Sequence, residues 1–192
     1  MKFVFNQKLT IMKKYIAIAI LCLHLGLSFH SDAQTLSLDT IKAQLVKDWQ
    51  RAKAYTLEYL NTMPANKYSF KANDSVRSFA QQMLHLAQAN VGLLSGAIPN
   101  APSFGRANLE GSATAQTKDS VMHYVMTSYD FAINGIKNLS TSAFSERAKF
   151  FNFEESKFTW ILKAFEHQTH HRGQTTIYIR LAGIKPPQEK LF

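Results

Sequence analysis

The chemistry-bearing residues of this chain crowd into one run, Glu166-His167-Gln168-Thr169-His170-His171-Arg172. His167 and His171 are four apart, so on a helix they stack on one face about one turn from each other. Two imidazoles at that spacing can bind a single divalent metal from one rigid element. A third ligand must come from elsewhere. His85, at the edge of an apolar stripe in another segment, is the best candidate. His170 points some 60–90° away from the pair on the same helix. His123 reads as a surface residue or as a support for the site. The competing explanation is that carboxylates or backbone carbonyls satisfy the two rings. Something must, because a buried polar group left without a partner costs about 1–3 kcal/mol.

Such a pair needs long helices to hold it, and apolar spacing predicts four. The first covers residues 38–63, with Leu38, Ile41, Leu45, Trp49, Ala52, Leu57 and Leu60 inward and Pro64 ending it. The second starts at an N-cap at Asp74 or Ser75 and runs to about Ser95, carrying His85. The third runs from about Lys118 to Leu139. The fourth opens at Glu154-Glu155-Ser156, where acidic residues suit the helix dipole. It continues to Ala182, with Gly183 as C-cap and Pro186-Pro187 barring extension. It is apolar on two sides, with Phe158, Ile161, Leu162 and Phe165 on one stripe and Phe153, Trp160, Ala164, His167, His171, Tyr178 and Leu181 on the opposite one, so the two histidines take apolar places. Gly173 hints at a close helix approach or a bend. The long connection from Gly96 to Gln116 is a crossover, the alternative being a lid. Residues 140–153, rich in Phe but aperiodic, read as irregular chain capping one end. The fold class is therefore all-α: a four-helix bundle with one long helix–helix connection.

The chain has 192 residues, 46% of them hydrophobic, enough for one domain with a real core. Lys13-Lys14 followed by the apolar run from Tyr15 to Leu27, then Ser31-Asp32-Ala33, has the form of a secretory signal peptide cut between Ala33 and Gln34. Met12 is an alternative start. Leu21 before Cys22 argues against lipidation, and the apolar run is short for a membrane span. Residues 34–192 then form a single secreted or periplasmic domain, with no membrane partner in the mature form. Removing residues 1–33 takes away Lys2, Lys8, Lys13, Lys14 and Asp32, lowering the net charge from +9 to +6. The remaining positive charge is scattered, which gives nucleic-acid binding little support. Cys22 is the only cysteine, so the mature chain has no disulfide or thiolate ligand, and a metal must rest on His, Asp or Glu.

The run from Phe165 to Pro187 resembles the C-terminal signature of the DinB-like (YfiT-type) four-helix metalloproteins. Met63-Pro64, Tyr68-Ser-Phe-Lys71 and the segment Val76 to Leu86 resemble that family's first-histidine region. The resemblance covers essentially the whole mature chain. It implies an all-α four-helix up-down bundle and one divalent metal, zinc or nickel, held by His85, His167 and His171, and it implies homodimers. Three neutral imidazoles would leave positions open for water or substrate. Water there would be acidified toward neutral pH, or a thiol would bind as thiolate. Metal-dependent hydrolases and thiol S-transferases are the family's precedents, acting on small molecules. Nothing in the residues selects one reaction. Tyr178 and Arg172 are candidates for orienting a ligand, with packing as the other reading. A metal- or ligand-binding helical module without catalysis is the alternative function.

Overall fold

The structure is a computed structural model that describes residues 14–16 and 35–192. Met12, Cys22 and the expected cut after Ala33 lie outside the described residues, as does the expected signal segment apart from residues 14–16. The bundle forms the unit Ser37–Phe192.

Its four long helices are α1 (Leu38–Thr62), α2 (Phe79–Leu94), α3 (Lys118–Asn138) and α4 (Lys157–Leu181). Each begins at a hydroxyl that accepts a backbone N–H of the first turn: Ser37, Ser78, Thr117 and Ser156. At α2 this is a full capping box, with Gln81 reaching back to the Ser78 N–H. The helix therefore starts at Phe79, later than Asp74 or Ser75. The Ser-x-x-Gln signature at 78–81 outcompetes the earlier polar residues. At the far end of α4, Gly183 adopts φ 80°. It lets the Ile184 and Gly183 amides donate to the carbonyls of Ile179 and Arg180, closing the helix as expected.

α1 packs on α3 and α4, and α2 packs on the same two helices from the other side. Side-chain pairs fix the directions. Lys118 reaches the end of α1 at Met63 O, and Lys42 reaches the end of α3 at Leu139 O; these helices are antiparallel. Tyr59 bonds Thr176 and Trp49 meets Phe165, so α1 and α4 run parallel. Asn90 bonds Ser128, and Ile98 beyond α2 lies on Gly135, so α2 and α3 run parallel. The order is up-down-down-up. The long connection is the crossover that returns the chain for α3 to descend beside α2. Gln88 and Gln81 hold it to α2 by donating to the carbonyls of Phe104 and Glu110.

The core centres on Trp49, fully buried between Tyr129 and Phe165 at centroid distances of 5.8 and 5.5 Å. A hypothetical Cβ on Gly135 would lie 2.3 Å from Ile98 Cγ2. Gly135→Ala is therefore expected to lower stability by about 1–2 kcal/mol through overpacking, read as a lower urea midpoint at unchanged slope.

Residues 147–156 correct the expected irregular cap. They form an antiparallel hairpin of β1 (Arg147–Phe150) and β2 (Phe153–Ser156), with Phe150 opposite Phe153. The helix expected from Glu154 begins at Lys157. Phe153 and Leu181, placed on the histidine stripe, are exposed, as is Leu162 on the other stripe. Gly173 has nothing within 4 Å of a hypothetical Cβ, so no close helix approach explains it. Among the described residues no helix is long and apolar enough to cross a membrane.

Candidate metal centre

Antiparallel packing of α2 against α4 brings His85 onto the face that carries His167 and His171. Ring centroids are 5.3 Å apart for His85–His167, 4.6 Å for His85–His171 and 4.3 Å for His167–His171. Each ring offers one nitrogen, and the three nitrogens all lie within 4.8 Å of one another. Zinc–nitrogen bonds of about 2.0–2.1 Å put tetrahedral ligands roughly 3.4 Å apart. Small rotations of the rings would close the remaining gap.

Two features show that the three-histidine group fits a cation. The Nδ1 atoms of His167 and His171 are buried without a hydrogen-bond partner. Carboxylates or carbonyls, the competing explanation from the sequence, do not satisfy them. Both rings are also held neutral. Burial, followed by the neighbouring rings and Arg77, pushes His167 down from 6.5 to about 4. Burial is also the main cause for His171, which falls to about 3. A neutral imidazole keeps the lone pair a metal needs.

The same shifts set a pH dependence. Between pH 6.5 and about 4 the unfolded chain protonates these rings and the folded chain does not. The unfolded state then binds more protons, so stability falls as the pH falls. The contribution is whole above pH 6.5 and is lost progressively toward 4 and then 3. Urea unfolding of metal-free protein is expected to show this decline. The His167→Ala/His171→Ala double variant is expected to flatten it.

His85 has a partner that the sequence reading missed. Its Nδ1 lies 2.9 Å from Glu110 Oε1, and the other carboxylate oxygen accepts from Arg77 Nε at 2.6 Å. Glu110 is the only acidic residue between Gly96 and Gln116, which was the available signal. Its own carbonyl is held by Gln81 and Gln116 at 3.0 and 2.9 Å. A carboxylate on Nδ1 fixes the ring's orientation and leaves Nε2 as the nitrogen not engaged by Glu110.

The remaining named residues fall outside the cluster. The Tyr178 hydroxyl donates to Arg77 O at 2.8 Å, tying α4 to the start of α2. Gln82 donates to Gln174 and joins the same helices nearer the histidines. Arg172 faces the core. Its guanidinium lies 4.8 Å from the Tyr55 ring centroid and donates to Gln168 Oε1 at 2.9 Å. Tyr129 donates to that same oxygen at 2.7 Å and bonds Thr56. This network joins α1, α3 and α4, and it fixes the rotation of α4 that turns His167 and His171 toward α2. His170 is exposed with its ring 5.0 Å from that of His171, and His123 is exposed against Tyr124.

Residues 33–191 match the family model described as "DinB family". The fold is similar to that of a DinB-like protein from Bacillus cereus ATCC 10987, with a TM-score of 0.63 at 15% identity over 76% of this chain and 95% of that one. A DinB-like protein from Bacillus subtilis is similar with a TM-score of 0.57 at 18% identity, covering 78% of this chain and 96% of the other. No curated protein matches significantly in sequence.

Proposed function

The chain belongs to the DinB family, and on that premise we propose that it is a divalent-metal-dependent enzyme acting on a small molecule at His85, His167 and His171. The observation that carries this reading is the buried Nδ1 pair without partners, set in a group of three convergent imidazoles. When bound, zinc or nickel would supply Lewis acidity there, with positions left for water or substrate. A structural zinc would more commonly be closed by four protein ligands.

The chain's own residues have distinct parts. The three histidines hold the cation in neutral form. Glu110 orients His85, and Arg77 holds the Glu110 carboxylate in place. Tyr178 and Gln82 hold α2 at a fixed separation from α4. Hydrolysis and thiol S-transfer both suit such a site, and the export reading favours hydrolysis, because low-molecular-weight thiol cosubstrates are cytoplasmic. The signal-like start supports a secreted or periplasmic location, and the family resemblance supports a homodimer.

Turnover tests the reading. Tag-free protein loaded with zinc or nickel is to be assayed against an ester panel and a thiol–electrophile panel. Activity in one panel that disappears in His171→Ala supports an enzyme. Tight metal binding with no turnover in either panel would make it a non-catalytic binding module.

A further inference from the structure

A cavity of about 640 Å³ opens where the hairpin meets α2 and α4, walled by Leu93, Phe150, Phe151, Phe153, Trp160 and His167. That volume lies in the range of small-ligand sites, roughly 300–1,000 Å³. His167 belongs to both this cavity and the histidine cluster. We infer that the cavity is the apolar subsite of the substrate, taking an uncharged aromatic or bulky aliphatic body whose reactive polar group lies at His167. The inference rests on the proposed function for what happens at that polar group, and on its own observations for what fills the cavity.

The aromatic wall is assembled at a cost. Phe151 turns the hairpin at φ 51° and is 78% exposed. A left-handed conformation is a steric outlier for a bulky residue, and Asn152 beside it would have tolerated the position better. The ring therefore stands in water, in an unfavourable backbone state, at the rim of an apolar hollow. Behind it, Phe150 meets the rings of Phe151 and Trp160 at 4.4 and 5.8 Å. Gly92 leaves room for Phe150, since a Cβ there would come within 3.2 Å of its Cζ. Trp160 donates its indole N–H to Ala148 O at 2.9 Å. Its polar edge is thus satisfied by the hairpin, and its apolar surface is left for the cavity.

The charge pattern selects an uncharged body. Three charged side chains line the cavity, and each has a partner. Lys163 pairs with Glu166 at 2.8 Å, and Glu155 shares Arg147 with Glu154, at 3.9 and 3.7 Å. Each charge in the lining thus has a counter-charge within 4 Å.

Two probes test this. N-Phenyl-1-naphthylamine has an uncharged aromatic body and no chelating group. It is titrated into the purified protein and followed by its own fluorescence. Binding is expected, and Phe151→Asp/Phe153→Asp is expected to weaken it about tenfold, a loss of 1.4 kcal/mol. Both positions are exposed, so folding is not at stake. His171→Ala is expected to leave this binding within about twofold, because the probe has no group that a metal would hold. The second probe, 1-naphthohydroxamic acid, adds a chelating head. It is expected to bind metal-loaded protein about tenfold tighter than metal-free protein. It is also expected to lose affinity with the same double substitution. Unchanged affinity for both probes in Phe151→Asp/Phe153→Asp overturns the subsite, as does no binding to wild-type protein. So does a protein dimer that dissociates on that substitution without either probe binding. If the first probe binds as expected and no metal does, the subsite stands and the metal-enzyme reading fails.

Discussion

His171→Ala is expected to lose its divalent metal while remaining a folded bundle. The ring lies between those of His167 and His85, at centroid distances of 4.3 and 4.6 Å, so its removal leaves two imidazoles on opposite helices. Two monodentate ligands hold a cation far more weakly than three. A competition titration should show affinity for zinc or nickel falling by more than about a hundredfold, above the 10–100-fold that losing a supporting contact typically costs. Stability should change little, because the substitution also removes a buried Nδ1 that had no partner. Circular dichroism and the urea midpoint would confirm that the fold survives. Wild-type affinity in the variant would place the metal elsewhere.

Glu110→Gln is expected to weaken the metal about 10–100-fold with all three histidines in place. The carboxylate accepts from His85 Nδ1 and Arg77 Nε at once. Glutamine keeps the shape but offers one acceptor and one amide, so one of these donors would face another donor. The His85 ring then loses the orientation that the carboxylate fixes. The same titration measures the effect. Unchanged affinity would reduce Glu110 to a fastening for the crossover.

The helices were legible in the sequence because burial imposes its period on the apolar residues. Trp49, Ala52, Leu60 and Ala164 sit where helical spacing puts them, fully buried. The histidine pair was legible for the same reason, as two polar residues in an apolar stripe. The hairpin was not. Its strands are four residues long, Phe153 faces solvent, and the turn lacks the Asn-Gly or Asp-Gly pair that marks most tight hairpins. Phe residues in water imitate a core stripe when only their type is read. Glu110 was hidden differently: it meets His85 across 25 residues of chain, through a crossover whose path no local pattern reports. The direction of α3 depended on that same path.

Three imidazoles must meet one cation, and X-ray absorption spectroscopy of metal-loaded protein counts them. The fine structure is predicted to show three histidine rings, with nitrogens at about 2.0–2.1 Å for zinc, and the remaining ligands light atoms from solvent. His85→Ala is predicted to lower the ring count. A spectrum with one imidazole or none, or one that His85→Ala leaves unaltered, would contradict it.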